Sequence, residues 1–530
     1  MSGIVNHLLS LALLVPIVGI CAVLLTGSGR AGRARWLALL FSVASVVTVS
    51  ALWFLYDPDG KTWQFAERFN VAPAMGVSVY LGVDGASILF LLLTGVVTLA
   101  AVLASWNETR APVSRFYAWL LLAQAGTVGV FIALDLLVFF VGWQVTFGAL
   151  YVLIRNWTGR IGIGSSRFFY GWMGVSGVML AAMAALYFAN PNGASPYSSD
   201  ITLLHTRTLS PSLQSWVFMA FLLAFGATMS LFPLQRWMVE AQTMAPTGVS
   251  MLIASLMTKL GAYGVFRLLL PVAPDACRQV APIVAWIAIA GMLCGALLAW
   301  RERDLKRLMA YATVSQLGLM MIGLFALTPV GIGSSLAQQT GHAFWIAGLF
   351  VCVDILYQRA AITEISLIGG LRGRMPMFTA LFSIMLLSAT GIFTAFGFLN
   401  EATGLRGVAA DRGWVLVGAA GMFLSVVYLL PVVRRLFSGE VSGRAGSWAG
   451  LSRREVTILI LLAAFAVGSG VYPVPVLQRV ETSVGRVVAR IHPEMAPYLR
   501  LGSDCPTAAP PDPAGPPPGF ILVEPCAEGQ

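Results

Sequence analysis

Apolar and polar positions alternate along the chain in long blocks, with apolar stretches of about 20 residues separated by short polar loops. A helix of about 20 apolar residues crosses the roughly 30 Å hydrocarbon core of a bilayer. The pattern therefore predicts an all-α polytopic membrane protein with about 14 transmembrane helices. The predicted spans lie near residues 8–25, 36–56, 87–106, 116–133, 134–154, 167–189, 214–233, 248–269, 279–300, 308–326, 333–357, 377–400, 414–436 and 455–475.

Two of these spans contain residues that interrupt helices. Pro233 removes a helix hydrogen bond near the end of the seventh span, and Gly391 and Gly397 loosen the twelfth. Paired interrupted helices often line an ion path, because unwound backbone needs protein or water to satisfy it. A plain helix end at Pro233 and close packing at the glycines would explain the same residues.

Composition supports the membrane assignment. Of the 530 residues, 58% are hydrophobic and only 11% are charged, which is too apolar a chain for a soluble domain. The net charge of +10 could suggest nucleic-acid binding, but the arginines are spread over short loops and form no single patch. We therefore expect a lipid bilayer around the chain and no nucleic-acid partner.

The distribution of basic residues predicts the orientation. If the N-terminus is outside, the inner loops hold 21 of the 33 lysines and arginines, the outer side holds 11, and Lys259 lies within the membrane. The start, MSGIVNH, has no basic residue, which favours a retained first helix over a cleaved signal peptide. A transit segment is also missing from this start, so a bacterial plasma membrane is the expected location.

Residues 1–475 are predicted to form the transmembrane domain, and residues 476–530 a proline-rich extramembrane tail on the outer side. Cys505 and Cys526 lie in this tail, where an oxidising compartment would permit a disulfide between them. Cys277, predicted in an outer loop, is an alternative partner.

Several polar residues fall inside predicted spans: Gln144, Lys259, His342, Asp354 and Glu401. A buried glutamine usually makes a structural hydrogen bond between helices, and a single histidine is usually satisfied by a neighbour. A lysine or glutamate needs a partner or a wet cavity, which favours an ion pathway. Nucleotide loops, CxxC pairs and HExxH motifs do not occur in the sequence, so we expect neither a cofactor nor a metal.

The motifs around these residues carry a family resemblance. They include LGVDGAS, AFGATMSLFPLQRW, EAQTMAPTGVSMLIASLMTKLGAYGVFRL, ERDLKRLMAYATVSQLG, GHAFWIAGLFVCVDILYQR and GGLRGRMPMFTALF. From about residue 8 to about residue 475 the chain resembles the antiporter-like subunit M of proton-translocating NADH-quinone oxidoreductase, respiratory complex I. The long lateral helix of the related subunit L is missing, which favours M.

The resemblance implies an antiporter-like fold with two inverted repeats and broken helices 7 and 12. It also implies other membrane-arm subunits as partners, and protons driven through buried charged residues by quinone reduction elsewhere in the complex. On this basis Lys259 matches the central lysine, His342 the histidine of span eleven, and Glu401 the glutamate on the exit side. Lys306 and Asp354 are further candidates for the proton path.

The chain lacks a pair of oppositely charged residues that the family has. Gln144 stands where the family has a glutamate in span five, and Thr228 where it has a lysine in span seven. Replacing both members of a buried ion pair destabilises a protein far less than replacing one, because a single replacement leaves the other charge buried without a partner. We therefore expect a weakened proton path.

Other positions also differ from the family. They are Gln235, Gln242 and Gln316 in place of histidines, Met244 in place of a glutamate, Phe393 in place of a proline, and Asp354 with Gln358 in place of a glycine and an aspartate.

Three interpretations stay open at this point. The first is a divergent subunit M whose own proton transfer is weakened, and the second is a working channel whose missing charges come from a neighbouring subunit. The third is an antiporter-like subunit of another assembly, such as a membrane-bound hydrogenase, a cation/proton antiporter or an inorganic-carbon uptake complex. A stand-alone transporter is the least expected, because this family works in rows.

Overall fold

The computed structural model describes residues 7–27, 29–72, 75–108, 112–157, 163–189, 197–360, 363–391, 412–438, 449–499 and 501. Most of them are helical. The principal elements are α1 Leu8–Leu24, α2 Ala31–Leu55, β1 Gln64–Ala72, β2 Val77–Val83, α3 Gly85–Ala104, α4 Val113–Ile132, α5 Leu136–Trp157, α6 Ile163–Phe188, α7 Pro211–Thr228, α8 Arg236–Met244, α9 Thr247–Val272, α10 Pro274–Arg301, α11 Leu305–Phe325, α12 Pro329–Ala360, α13 Pro376–Ala389, α14 Arg412–Ser438, α15 Arg453–Val471 and α16 Val474–Ile491.

Each of the 14 predicted spans corresponds to one of these helices. Among the described residues, 11 helices are long and apolar enough to cross a membrane, and α1 and α13 are shorter apolar helices. The remaining predicted span coincides with α14. The prediction of an all-α polytopic membrane protein is therefore confirmed, with a small β-hairpin added.

The hairpin marks one face of the helical bundle. Strands β1 and β2 pair antiparallel, and the amphipathic helix α16 lies at the same end. Two hydrogen bonds fix α16 there: the Gly85 amide donates to Ser483 Oγ at 3.1 Å, and Arg278 donates to the Ile491 carbonyl at 2.8 Å. We call this end the hairpin face and the opposite end the loop face.

Helix α16 takes up the first part of the predicted tail. Its buried side chains recur every three or four residues, so one side of the helix packs on the bundle. The buried residues are Val476, Val480, Thr482, Ser483, Val484, Gly485, Val487, Val488 and Ile491. Cys505 and Cys526 lie outside the described residues. Cys277, expected in a loop, is instead fully buried in the first turn of α10.

The seventh span is broken, as the sequence predicts. Helix α7 ends at Thr228, a turn follows with Ser230 at φ +59°, and α8 starts at Arg236. In the twelfth span, α13 ends at Ala389 and Gly391 adopts φ +77°, a backbone conformation that favours glycine. Gly397 and Phe393 lie outside the described residues.

Helix α9 lies at the centre of the bundle, and its most apolar 18-residue window is entirely buried. It is not a regular α-helix, because two π-helical turns interrupt it, at Ile253–Met257 and Val265–Leu269. Glycines allow neighbouring helices to approach it closely. A Cβ added at Gly261 would lie 2.6 Å from the Phe225 carbonyl oxygen of α7. This interrupted central helix carries Lys259.

Candidate functional site

Lys259 is completely buried, and its amine points at a histidine. Lys259 Nζ lies 2.7 Å from His342 Nδ1 of α12, which is itself 1% exposed. The amine also lies 3.3 Å from Thr258 Oγ1 and 3.5 Å from the Ala254 carbonyl oxygen, both on its own helix. Within the described residues, the Lys259 amine therefore has three hydrogen-bond partners, and none of them is a carboxylate.

The hydrogen bond couples the protonation states of the pair. When Lys259 is an ammonium it can only donate, so His342 Nδ1 accepts and the neutral imidazole carries its proton on Nε2. His342 Nε2 is buried and has no hydrogen-bond partner among the described residues. Buried polar atoms are usually paired with protein or water, so this nitrogen is a natural contact for a water molecule.

The local helix geometry helps to hold the lysine. The π-helical turn at Ile253–Met257 comes directly before Thr258 and includes Ala254, whose carbonyl is near the amine. Single π-helical turns inside α-helices are rare and occur frequently at functional sites. The ring of Trp345 packs edge-on against His342, with centroids 4.6 Å apart, and fixes the imidazole on its other side.

A line of polar side chains continues near His342. Gln338 Nε2 donates to Gln316 Oε1 at 3.2 Å, and Gln316 Nε2 donates to Ser425 Oγ of α14 at 2.7 Å. Gln339 Oε1, also on α12, is buried without a partner among the described residues. These groups can hold water, but none of them changes charge near neutral pH. Glu401, the predicted exit-side residue, lies outside the described residues.

Gln144 and Thr228 are engaged separately. Gln144 Oε1 accepts from Trp172 Nε1 at 2.6 Å and from Ser176 Oγ at 3.1 Å, so it faces α6. Thr228 is fully buried, and its hydroxyl donates to the Ala224 carbonyl of its own helix at 2.9 Å. Neither side chain is a hydrogen-bond partner of the Lys259 amine.

Lys306 and Asp354 line a cavity of about 840 Å³ at the loop face. Thr247 Oγ1 donates to Asp354 at 2.6 Å, Gln358 also donates to this carboxylate, and Lys306 Nζ donates to the Ala245 carbonyl. Asp354 lies 12 residues from His342 along α12, which places it about 18 Å away along the helix axis. The structure thus brings Lys259 and His342 together and places Lys306 and Asp354 at a separate, more peripheral site.

Sequence reasoning missed a buried ion pair between Arg267 and Asp84. Arg267 Nη2 of α9 lies 2.6 Å from Asp84 Oδ1, at the start of α3, and the two side chains are 3% and 4% exposed. Arg267 also donates to Tyr263 Oη at 3.0 Å and to Ser87 Oγ at 3.1 Å. Arg267 was counted among the 11 basic residues on the outer side. Arg267 nevertheless lies inside the predicted span 248–269, where a charged side chain needs a partner, and this position could have indicated the pair.

The described part of the chain contains no group of three or more histidine, cysteine, aspartate or glutamate side chains that could hold a metal ion.

Comparison with known protein families identifies the lineage of this site. The model of the transmembrane family "NADH:quinone oxidoreductase/Mrp antiporter, TM" matches residues 133–427, more than half of the chain. The chain belongs to this family. The matched region contains α9, α12 and both members of the Lys259–His342 pair.

Curated family members match nearly the whole chain. The NADH-quinone oxidoreductase subunit M of Pseudomonas aeruginosa is 31% identical over 480 residues, which is 88% of this chain and 94% of that protein. The subunit M of Rhodobacter capsulatus is 31% identical over 506 residues, covering 92% and 98%. That of Escherichia coli K12 is 29% identical over 468 residues, covering 86% and 92%. The chain is thus a homologue of subunit M.

Similar solved structures confirm the antiporter-like fold. A chain of respiratory complex I from Thermus thermophilus with bound NADH superposes with a TM-score of 0.80 at 26% identity, covering 93% of this chain and all of that chain. A chain of the Mrp complex from Dietzia sp. DQ12-45-1b gives a TM-score of 0.78 at 19% identity, covering 94% of this chain. The second likeness concerns the fold alone.

Proposed function

We propose that this chain is a membrane-arm subunit, of the subunit M type, in a proton-translocating NADH-quinone oxidoreductase. Three findings support the proposal: the family match, subunit M relatives that align over nearly the whole chain, and the fold shared with a chain of complex I. Its partners would be the neighbouring subunits of the membrane arm. Mass spectrometry of the proteins that co-purify with it in mild detergent tests this part, and co-purification with hydrogenase or antiporter subunits would contradict it.

The proposal that this chain takes part in proton transfer rests on the buried contact between Lys259 and His342. An amine and an imidazole 2.7 Å apart can share one proton, because either nitrogen accepts it and the other then accepts the hydrogen bond. Among the described residues, the other hydrogen-bond partners of the Lys259 amine are the neutral groups of Thr258 and Ala254. A proton arriving at the pair or leaving it would therefore change the local charge strongly, since the interior screens charge poorly.

We further propose that the drive for this proton transfer is weakened. An ion pair that opens and closes beside a lysine changes the electrostatic free energy of its ammonium. Gln144 and Thr228, at the positions of such a pair in the family, stay neutral and make hydrogen bonds with Trp172, Ser176 and Ala224. A water path can persist next to these groups without the charge switch.

The test is the number of protons translocated per electron pair in reconstituted vesicles, comparing wild type with Lys259→Ala. We expect the ratio to change little. The matched control is Leu260→Ala, because Leu260 is the next residue and is also fully buried. The control should reduce stability by about 2–5 kcal/mol through its cavity, more than Lys259→Ala does. If Lys259→Ala removes one subunit's share of the pumped protons, the path is not weakened.

A second pair of variants tests the lost charges directly. Gln144→Glu and Thr228→Lys together should be tolerated better than either change alone, because a buried charge without a partner costs several kcal/mol. The measurement is the yield of intact assembly from membranes. Equal yields for the double variant and both single variants would mean that these positions do not form a pair here.

A further inference from the structure

Helix α10 exposes an apolar stripe along most of its length. Trp286, Leu293, Leu297 and Trp300 are 67%, 41%, 54% and 57% exposed. Their spacing of seven, four and three residues places them on one side of the helix. Trp286 and Trp300 lie 14 residues apart, or about 21 Å along the helix axis. Tryptophans toward both ends of an exposed apolar stripe are typical of a helix surface that faces lipid.

An exposed arginine follows this stripe at the loop face, and the pattern occurs again on a neighbouring helix. On α10, Leu297 is followed four residues later by exposed Arg301. On α14, Leu430, which is 51% exposed, is followed four residues later by exposed Arg434. A spacing of four residues places each leucine and its arginine on the same side of the helix. Both helices therefore carry a cation directly beyond an exposed apolar side chain.

The two arginines belong to helices that pack against each other. A Cβ added at Gly421 of α14 would lie 2.6 Å from Met292 Sδ of α10, and both helices end at the loop face. Arg301 is nine residues beyond Met292 and Arg434 is 13 residues beyond Gly421. At 1.5 Å per residue, they lie about 14 Å and about 20 Å past the contact. The backbones of the two arginines thus differ by about 6 Å in position along the helix axes and lie at the same end of the bundle.

Further arginines surround this corner. The short helix Ile365–Leu367 is tied on one side to the Arg303 carbonyl, which accepts from the Ile365 amide at 2.9 Å. On the other side, Arg435 Nη2 donates to the Ser366 carbonyl at 2.6 Å. Within the described residues, the guanidinium groups of Arg301, Arg303 and Arg434 make no ion pair. The corner therefore carries excess positive charge next to exposed apolar surface.

We propose that this corner binds an anionic phospholipid, with its phosphate between Arg301 and Arg434 and its acyl chains along the α10 stripe. Guanidinium groups suit phosphate oxygens because their donors match the geometry of the anion. Basic sites between membrane helices are known to take anionic headgroups. The general excess of arginine in inner loops does not explain why two of them extend the exposed sides of two packed helices.

The test measures lipid retention by the purified parent assembly, using native mass spectrometry with dioleoyl-phosphatidylglycerol or dioleoyl-phosphatidylcholine. The variant is Arg301→Gln with Arg434→Gln. The matched control is Arg30→Gln with Arg33→Gln, which removes the same charge from exposed positions at the start of α2, also at the loop face. We expect the site variant to bind phosphatidylglycerol roughly tenfold to thirtyfold more weakly, at about 1 kcal/mol per arginine. The control should bind it like wild type.

A second measurement keeps the proposal testable if the site variant assembles poorly. Phosphatidylglycerol with brominated acyl chains should quench part of the wild-type tryptophan fluorescence, and Trp300→Phe should reduce that part. Equal retention of phosphatidylcholine, equal loss in the control variant, or displacement of the lipid by inorganic phosphate alone would overturn the proposal. Cross-linking of a Leu297→Cys variant to a neighbouring subunit would also overturn it, since a protein would then cover the stripe.

Discussion

The Arg267 guanidinium lies 2.6 Å from the Asp84 carboxylate, whereas Lys259, eight residues earlier on the same helix, has His342 as its closest polar contact. One central helix therefore holds two buried cations in different ways. Arg267 keeps its proton in proteins under all ordinary conditions and is fixed by a carboxylate. Lys259 can give its proton to His342. We infer that the first contact maintains the fold and that the second is available for proton exchange.

Removing the carboxylate from this pair should destabilise the protein strongly. Asp84→Asn leaves Arg267 buried without a counter-charge, so we expect a loss of about 3–5 kcal/mol. The measurement is thermal unfolding of the purified assembly. Asp275→Asn is the matched control, because its ion pair with Arg278 is exposed by more than 40% on both sides and should contribute at most about 1 kcal/mol. Equal effects of the two changes would show that the buried pair has no structural role.

Close packing against α9 should make Gly261 intolerant of a side chain. In Gly261→Ala the new Cβ would lie 2.6 Å from a backbone oxygen of Phe225 and 2.9 Å from Met229 Cγ, so α7 would have to move. We expect a destabilisation of about 1–3 kcal/mol, read from the unfolding temperature. Gly177→Ala on α6 is the control, since no atom lies within 4 Å of its added Cβ. It should be neutral or slightly stabilising, and a larger loss there than at Gly261 would contradict the packing described.

His205, in the loop before α7, should make the hairpin face sensitive to acid. Its Nε2 donates to the Arg267 carbonyl at 2.8 Å, and burial together with the nearby Arg267 charge lowers the pKa of His205 to about 4. The unfolded histidine titrates near 6.5, so between these values the unfolded state binds more protons. Stability should therefore fall as the pH is lowered from about 6.5 to about 4.

Unfolding temperatures of the assembly at several pH values check this expectation, with His205→Gln as the comparison. A glutamine amide can still donate to the Arg267 carbonyl but does not titrate in this range. The variant should lose part of the decrease in stability between pH 6.5 and pH 4. Identical pH profiles for wild type and variant would rule out His205 as the source.

The orientation in the membrane is a further prediction, with the hairpin face and the tail outside. A membrane-impermeant maleimide added to intact cells should label a cysteine introduced at Lys61, which is exposed in the loop before β1. Cys505 and Cys526 should react from the same side after reduction. A cysteine at Arg303, on the loop face, should react only after permeabilisation. The reverse pattern would invert the topology.

Sequence reasoning pointed to Lys259 and His342 as candidate residues and missed the contact between Arg267 and Asp84. Lys259 is a candidate because a lysine buried in a membrane needs a partner or a wet cavity, and His342 because it matches a histidine of the family. Their 2.7 Å contact joins residues 83 positions apart and could not be derived from either helix alone. Asp84 was missed as a partner of Arg267 because it lies at a span boundary, where an aspartate is also expected as a helix cap. It does accept from the Ser87 amide in that role.

The sequence by itself determined the order of the long apolar helices, because a transmembrane span depends on apolar length, a property of about 20 consecutive residues. It also determined the break at Pro233, since a proline removes its hydrogen bond wherever the helix lies. Only the tertiary structure decided that Gln144 faces α6, that α16 returns to the hairpin face, and that Arg301 and Arg434 share one corner. These relationships depend on which helix surfaces pack together. In a bilayer, helix packing follows from the fit between side chains of segments that are distant in the sequence. The apolar length of a span gives no information about that fit.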